Sequence, residues 1–403
     1  MKKLLTLLIA LTIFSACETK PQVAVEEIQL ATEHPSSLPR LFTNSEGKTY
    51  LSYVERTPER MAKLYFTSLE GEQWSDAQLI AEGDNWFVNW ADFPSVIENN
   101  KHMAAHWLQK SEEGTYDYDV HVAMSANSGS QWNESFIPHT DGVPAEHGFV
   151  TMLPLDNQRT FMTWLDGRNT KGGEDHNEGG HGGAGAMTLR AAIFDANGKA
   201  LEEWELDDRV CDCCQTTAAK TDEGIVVIYR DRTENEIRDM SVVRLVNGNW
   251  TKPEPLKVEL WEMPACPVNG PSVTAQGNQV AVAWFMAKGG TPEVKLAFSK
   301  DGGASFGEPV VVSQANTSGR VGTTTLNNGH VIVSWLDTIG ETAKVMVAEY
   351  DKTGALINKM TVAETSAARA SGFPVITSNG NDIYMAWTQA DEKTMIKTAK
   401  INL

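Results

Sequence analysis

Short β-rich runs recur along the chain, and seven of them end in an aromatic residue. They read YLSY, MAAHW, TFMTW, IVVIY, VAVAW, VIVSW and IYMAW, and they end at Tyr53, Trp107, Trp164, Tyr229, Trp284, Trp335 and Trp387. Consecutive aromatics lie 51 to 65 residues apart. Because a repeat of this length holds three or four short strands, it has the size of one propeller blade. The pattern therefore predicts seven repeats.

The segments around each run are also typical of strands and tight turns. Upstream come segments such as FPSV, GPSV or FPVI and a polar turn, and downstream comes an alternating strand such as VKLAFS. No long amphipathic helical stretch interrupts the series. We therefore predict an all-β chain in which residues 27–403 form a single β-propeller. The last repeat has only three strands, so we expect residues 27–31 (EIQLA) to supply the fourth and close the ring.

The N-terminus has the features of an export signal. A positive start (MKK) precedes an apolar stretch, LLTLLIALTIF, which is too short to span a bilayer and ends in FSAC. FSAC resembles the lipobox of bacterial lipoproteins, with Phe14 where leucine is usual. The resemblance implies a signal peptide over residues 1–17, a lipidated Cys17, a tether over residues 18–26 and a lipid anchor in the bacterial envelope, with the outer membrane as the expected location. The alternative is an ordinary secretory signal in which Cys17 has no role.

Composition narrows the classes of partner. A hydrophobic content of 41% is ordinary for a globular protein with a core. The formal net charge of −19 argues against nucleic acid and against a basic membrane-binding surface. Because this charge also repels anions at long range, a site for an anionic substrate requires a local cluster of arginines. We expect a monomer.

One turn is more specific than the repeats. SKDGGASF matches the Asp-box pattern S-x-D-x-G-x-[ST]-[FW] of sialidase-like propellers at every defined position: Ser299, Asp301, Gly303, Ser305 and Phe306. SANSGSQW (125–132) is a weaker copy with Asn127 in the Asp position, and SLEGEQW (68–74) is a shorter one. The chain therefore resembles sialidase-like (BNR-repeat) β-propellers, which usually have six blades, so we expect six or seven. Such turns are structural and identify a fold rather than a reaction.

Polar residues stand where the first strand of each repeat begins, at the predicted axis of the propeller. These residues are Arg40, Asp92, His147, Cys213, Cys214, Asn269, Arg320 and Arg369. A second set of charges follows the aromatic-ended runs: Asp166, Arg168, Arg230, Asp231, Arg232, Arg238, Asp239, Lys288 and Asp337. Either set could form a ligand face. The alternatives are a water-filled polar channel for the first and salt bridges between blades for the second.

The sialidase resemblance implies three arginines that hold a carboxylate, an Asp acid and a Tyr–Glu nucleophile. We expect the clamp from Arg40, Arg320 and Arg369. The catalytic candidates are Asp92 as acid, with Asp166, Asp231 and Tyr229, the last paired with Glu236 or Glu234. Further substrate-binding candidates are His147, Arg168, Arg230, Arg238 and Asn269. The chain departs from the family in its first blade, where LPRL replaces Arg-Ile-Pro.

These residues favour an exo-glycosidase of the sialidase type, or a glycan-binding protein, that acts on acidic sugars and requires no cofactor. One alternative is a propeller that binds carbohydrate or protein without chemistry. Another is an envelope protein that binds copper or zinc. The combination WLDGR, VCDCCQT, YRDR and CPVNGP resembles uncharacterised exported sialidase-like proteins, which implies a fold and a location but no reaction.

The cysteines support three hypotheses. Cys211, Cys213 and Cys214 lie together in RVCDCCQT, and Cys266 stands at the matching place of the next repeat. An exported chain favours disulfides, and a bond from Cys266 to one of the other three would join two adjacent blades. A copper or zinc site, with His147 as a further ligand, is the second hypothesis. A redox-active thiol is the third.

The longest insertion, residues 167–187, is rich in glycine and histidine. It carries candidate ligands for a divalent metal at Asp175, His176, Glu178 and His181. The alternative is a surface loop that binds no metal.

Overall fold

The seven aromatic-ended runs are the second strands of seven antiparallel sheets. The computed structural model describes residues 24–171 and 185–403, and these sheets follow one another along the chain as the blades of a β-propeller. The predicted all-β propeller fold is therefore confirmed, with seven blades. The described residues contain no α-helix and no helix that is long and apolar enough to cross a membrane. Cys17 and residues 175–181 lie outside the described residues.

The first three blades contain twelve strands, which pair in chain order from the axis outward, except that the last two strands of blade 1 both pair with its third strand. Blade 1 is formed by β2 (Ser36–Thr43), β3 (Thr49–Arg56), β4 (Ala62–Glu70), β5 (Gln73–Trp74) and β6 (Gln78–Gly83). Blade 2 is formed by β7 (Ser95–Asn99), β8 (His102–Lys110) and β9 (Tyr118–Ser125). Blade 3 is formed by β10 (His147–Pro154), β11 (Thr160–Asp166), β12 (Met187–Phe194) and β13 (Ala200–Val210).

The next three blades follow the same order. Blade 4 is formed by β14 (Thr217–Thr221), β15 (Gly224–Arg230), β16 (Met240–Val246), β17 (Asn249–Trp250) and β18 (Glu254–Pro255). Blade 5 is formed by β19 (Ser272–Gln276), β20 (Gln279–Met286), β21 (Glu293–Ser299) and β22 (Val310–Gln314). Blade 6 is formed by β23 (Thr317–Thr325), β24 (Val331–Ile339), β25 (Thr342–Tyr350) and β26 (Leu356–Ser366). Three short 3-10 helices lie between strands, at Asp156–Gln158, Lys288–Gly290 and Arg369–Ser371.

Blade 7 is completed by the N-terminal segment. It consists of β27 (Val375–Asn379), β28 (Asp382–Ala390), β29 (Thr394–Asn402) and, outermost, β1 (Ala24–Ile28). Strand β1 pairs antiparallel with β29 and covers its free edge. We predicted this closing strand at residues 27–31, and it begins three residues earlier, so residues 24–26 belong to the sheet rather than to the predicted tether. Ile28 is the buried residue of this strand.

The first strands of the seven blades surround the axis. Strands β2, β7, β10, β14, β19, β23 and β27 contact one another in cyclic order. They enclose a channel of about 630 Å³. Hydrogen bonds between hydroxyl groups join adjacent first strands, as between Thr274 and Thr325 (2.9 Å) and between Thr43 and Thr377 (2.9 Å). The predicted position of these strands at the axis is correct.

A residue with a left-handed backbone conformation lies near the start of several first strands. Leu38, Phe149, Val268 and Arg320 all have φ between 48° and 58°. The ladders of β2, β10 and β23 shift register at or beside this residue. Because this conformation costs a non-glycine residue about 1–2 kcal/mol, its repetition indicates a backbone kink that the fold holds in place. The segments before the kinks form one face of the propeller.

Tryptophans from the second strands pack between adjacent blades. Trp164 and Trp335 are fully buried, and each donates its indole N–H to the aspartate two residues later, Asp166 at 3.0 Å and Asp337 at 2.7 Å. Asp166 and Asp337, two members of the second predicted charge set, are therefore hydrogen bonded to their own strands.

The turn between Ser299 and Phe306 is held by side chains. Ser305 donates from its backbone N–H and its hydroxyl to the Asp301 carboxylate, at 2.9 and 2.6 Å. The Ser299 hydroxyl accepts the N–H of Gly303, which has φ 84°. Phe306 packs on the core between blades 4 and 5.

Candidate functional site

A cleft of about 540 Å³ opens on the face formed by the kinked segments. Its walls come from the segments before the first strands of blades 2, 3, 4, 5 and 7, and from the chain that leads from the second to the third strand in blades 2 and 4. Side chains of several chemical types line it: Asp92, Tyr118, Glu146, Arg232, Arg238 and Arg369. The cleft is therefore polar and charged, with aromatic rings at its edge.

Three side chains at the base of the cleft form a continuous hydrogen-bonded chain. The Tyr118 hydroxyl lies 2.9 Å from Glu146 Oε1 and 3.2 Å from Asp92 Oδ2. All three residues are buried, with relative exposures of 0%, 7% and 2%. A tyrosine has only one hydroxyl proton, so it cannot donate to both carboxylates. A proton on Asp92 satisfies all three groups: Asp92 donates to Tyr118, and Tyr118 donates to Glu146.

Burial favours this protonated form of Asp92. It raises the pKa of the Asp92 carboxyl to about 7, although hydrogen bonds from Phe149 and Tyr118 act in the opposite direction. The Phe149 N–H donates to Asp92 Oδ1 at 2.8 Å, which fixes the carboxyl on the kink of β10. Gly148 leaves the room that Asp92 occupies, because a Cβ there would collide with Asp92 Oδ2. Burial and both carboxylates raise the pKa of Tyr118 well above its usual value.

The blade-4 wall of the cleft consists of paired charges. Arg232 lies 3.1 Å from Asp212 and 2.8 Å from Glu236, and Arg238 lies 2.7 Å from Glu236. Burial would raise the pKa of Glu236, but the two arginines outweigh it and lower that pKa. These arginines are already neutralised by carboxylates.

The three arginines of the predicted clamp have different surroundings, although Arg320 and Arg369 both lie beside the Trp90 ring. Arg40 lines the axial channel, with its guanidinium 4.8 Å from the Phe93 ring centroid. Arg320 is buried, donates to the Gly372 carbonyl at 2.7 Å and stacks on Trp90. Arg369 lines the cleft at its exposed rim. The carboxylate clamp stays a prediction, and Arg369 is the member that lines the cleft.

Two other predicted substrate-binding residues, Arg230 and Asn269, form hydrogen bonds between blades. The buried Arg230 guanidinium donates to three backbone carbonyls, those of Arg238, Asn269 and Phe285. Asn269 accepts the backbone N–H of Arg320 at 2.7 Å. These two residues connect blades and do not line the cleft.

Two of the predicted catalytic residues lie elsewhere. Tyr229 is buried and donates its hydroxyl to Asp207 at 2.5 Å. Asp231 accepts hydrogen bonds from the Arg232 N–H and the Ser241 hydroxyl, and burial with Asp207 raises its pKa to about 6. The Tyr–Glu pair in the cleft is Tyr118 with Glu146, not Tyr229 with Glu236 or Glu234.

A second polar cluster lies between blades 2 and 3. The rings of His139 and His147 stack with centroids 3.7 Å apart. Asp119 lies 3.4 Å from His147 Nδ1, and Asp141 lies 3.4 Å from His147 Nε2 and 3.1 Å from His139 Nδ1. Asp166 lies 3.6 Å from His147 Nε2. Such imidazole and carboxylate groups are possible ligands for a divalent ion.

The charges of this cluster are also compensated. Arg168 donates to both oxygens of Asp166 at 2.7 Å. Burial would raise the pKa of Asp166, but Arg168 and His147 hold it at about 2. Burial lowers the pKa of His147, but Asp119 and the other carboxylates outweigh it and raise that pKa. His147, Asp166 and Arg168 thus form a cluster of their own, and His147 is placed with carboxylates rather than with the cysteines.

The cysteines of RVCDCCQT are brought together. Cys211 Sγ lies 3.4 Å from Cys214 Sγ and 3.9 Å from Cys213 Sγ. Cys213 and Cys266 line the cleft. None of the four cysteines among the described residues forms a disulfide, so the predicted disulfide between blades is not confirmed.

Five residues of the hydrogen-bonded chain and the imidazole–carboxylate cluster were missed by the sequence reasoning. Tyr118 and Asp119 begin β9, and Glu146 directly precedes His147 at the start of β10. His139 and Asp141 lie in the connection between the two strands. Glu146 could have been found as the neighbour of an axis residue, whereas Tyr118 lies on a third strand, where the repeat pattern predicts no site.

Comparisons with known proteins show the fold. No protein-family model matches the chain, and neither does any curated protein. Among solved structures, a protein of unknown function from Dyadobacter fermentans is similar with a TM-score of 0.55 and 10% identity, covering 95% of this chain and 100% of that one. An ulvan lyase of polysaccharide lyase family 25, bound to a GlcA–Rha3S saccharide, has a TM-score of 0.55 and 13% identity, covering 94% and 96%.

A third similar structure is an α-L-arabinofuranosidase from Fusarium graminearum. It has a TM-score of 0.51 and 9% identity, and the similarity covers 96% of this chain and 99% of that one. At these identities the similarities establish a shared β-propeller architecture and leave the reaction open.

Proposed function

We propose that this protein is a carbohydrate-active enzyme that acts on an acidic sugar in the cleft of the propeller face. The observation that carries the proposal is the buried chain from Asp92 through Tyr118 to Glu146 at the base of the cleft. In this chain a protonated acid, a hydroxyl and a carboxylate are joined by two hydrogen bonds.

This chain can perform acid–base chemistry at neutral pH. A group with a pKa near 7 is close to the optimum for a general acid, and Asp92 meets that condition. Its carboxyl lies within about 6 Å of Glu146, since both contact the same hydroxyl. In a sialidase-type reaction Asp92 would protonate the leaving-group oxygen as its bond to the anomeric carbon breaks. The Tyr118 oxygen would bond to that carbon as Glu146 accepts the Tyr118 proton.

An acidic sugar fits the rim of the cleft. Arg369 is exposed there and lies 5.8 Å from the Trp90 ring, which offers a flat apolar surface beside a cation. A guanidinium is suited to pair with a sugar carboxylate. Two of the similar structures are named for saccharide substrates, and one of them is bound to a saccharide that contains glucuronic acid.

The export signal adds a location to the proposal. The MKK start, the apolar stretch and Cys17 support an exported chain with a lipid anchor in the bacterial envelope. On this basis the substrates are glycans outside the cytoplasm.

The test uses two matched tyrosine variants. Tyr118→Phe and Tyr229→Phe each remove a buried hydroxyl that donates to a carboxylate, but only the first lies in the cleft. Sialosides and uronic-acid polysaccharides are screened for release of reducing ends and for ultraviolet absorbance of an unsaturated sugar. We expect Tyr118→Phe to lower kcat/KM by about 10²–10⁴-fold and Tyr229→Phe to leave it nearly unchanged.

Two outcomes contradict the proposal. Equal losses in the two variants would show that the Tyr118 hydroxyl acts through stability and not through the reaction. Glycan binding without turnover would favour the non-catalytic carbohydrate-binding propeller. In that case Arg369 and Trp90 hold a ligand, and the hydrogen-bonded chain from Asp92 to Glu146 has no chemical role.

A further inference from the structure

Three thiols meet in the segment that joins β13 to β14. Cys211, Cys213 and Cys214 have relative exposures of 0%, 7% and 2%. The three sulfur atoms all lie within 4.8 Å of one another, and no imidazole or carboxylate belongs to this group. A buried group made of thiols alone is selective for soft metal ions.

The sulfur separations suit a metal site. A disulfide requires sulfur atoms about 2.05 Å apart, far closer than the 3.4 and 3.9 Å observed. Sulfur atoms that share a tetrahedral ion at about 2.3 Å lie about 3.8 Å from each other. The three thiols are therefore close to the positions that a shared ion requires.

Donors around the thiols are suited to negatively charged sulfur. Arg238 Nη1 lies 3.1 Å from Cys211 Sγ. Cys214 accepts the backbone N–H of Asn269, and the positive charge of Arg230 acts on it. Hydrogen-bond donors of this kind orient metal ligands and stabilise their charge.

We propose that Cys211, Cys213 and Cys214 bind one soft d10 ion, Cu(I) or Zn(II), in the wall of the cleft. Each thiol loses its proton to solvent as its sulfur binds the ion, and no electron is transferred. Cu(I) is satisfied by three thiolates. Zn(II) prefers four ligands, and Cys266, which contacts Cys213, supplies the fourth. This site goes beyond the proposed glycosidase and does not depend on it.

The first measurement titrates the full chain with Cu(I) and separately with Zn(II), without oxygen, against a chromophoric chelator. We expect one equivalent of ion to be held. Cys214→Ser is expected to lower the affinity for either ion at least 10-fold. Cys266→Ser is expected to lower the affinity for Zn(II) and to leave that for Cu(I) within about 3-fold, which distinguishes the two ions.

His147→Asn is the matched control, because it removes the central ligand of the imidazole–carboxylate cluster. The thiol site predicts that this variant keeps the full equivalent of ion. If His147→Asn loses the ion while Cys214→Ser retains it, the site is the histidine cluster and the proposal is wrong.

Alkylation of the unchanged chain provides a second test that needs no variant. In mild denaturant, which opens the buried thiols to reagent, the bound ion should slow the reaction of three or four thiols with iodoacetamide, and a chelator should remove that protection. An intact mass two or four hydrogens below that of the reduced chain, with no ion taken up, would show disulfides and overturn the proposal. Thiols that react equally with and without the ion would also overturn it.

Discussion

Replacement of Asp92 by Asn should stabilise the protein at alkaline pH. The Asp92 carboxyl is 2% exposed, and burial raises its pKa from 3.8 to about 7. Asparagine has nearly the same shape, can accept the Phe149 N–H, and can donate to the Tyr118 hydroxyl. The variant therefore keeps the hydrogen bonds and removes the charge that burial disfavours.

The size of the effect follows from the difference between the two pKa values. The folded chain holds a proton on Asp92 up to about pH 7, whereas the unfolded chain releases it near pH 4. Stability that is present below pH 4 is therefore lost as pH rises, and the loss is complete above pH 7. Three pKa units correspond to about 4 kcal/mol, of which about a third is already lost at pH 5.

The assay is guanidinium denaturation of both proteins at pH 5 and pH 8.5. We expect the advantage of Asp92→Asn to grow by about 2–3 kcal/mol between the two pH values. Asp231→Asn is a matched control away from the cleft. Its gain in unfolding free energy between the two pH values should be smaller, because the pKa of the Asp231 carboxyl is raised only to about 6. An advantage of Asp92→Asn that is the same at both pH values would refute a buried, protonated Asp92.

Two further substitutions test the site and the turn. Gly148→Ala should lower turnover of an acidic glycoside at least 10²-fold, because the new Cβ meets Asp92 Oδ2; activity close to that of the unchanged chain would contradict the tight packing. Asp301→Ala removes both hydrogen bonds from Ser305 and should lower the free energy of unfolding by about 1–2 kcal/mol in guanidinium denaturation. Asn127→Ala, at the weaker copy of the turn, should lower it by less. Equal costs would show that the Asp301 carboxylate adds nothing to the turn.

The architecture was accessible from sequence because it repeats. Seven aromatic residues at similar spacing mark seven second strands, and the indole rings at Trp164 and Trp335 fill the space between blades. The closing strand was expected at residues 27–31 and forms at 24–28. A short polar strand has few buried side chains to fix its register in the sequence, and here only Ile28 is buried.

The site was harder to predict because a side chain's role depends on its partners. Asp92 was found from its position at the axis, and it lies in the cleft. Arg230 and Tyr229 looked equally promising in the sequence, yet one donates to backbone carbonyls and the other to Asp207. Tyr118 was missed because its contact with Asp92 joins two segments that are distant in the chain and adjacent in the fold.

Pairing explains why the most charged part of the sequence is not the best candidate for acid catalysis. Arginines next to Asp166 and Glu236 lower the pKa of both carboxyls, so both remain anionic at neutral pH. No arginine contributes to the pKa of Asp92, where burial is the largest cause. Only a buried carboxyl without a cation keeps a proton that it can donate near pH 7. The flanking sequence alone does not identify such an acid, since Asp92 in NWADFP and Asp231 in YRDR both have raised pKa values, of about 7 and about 6.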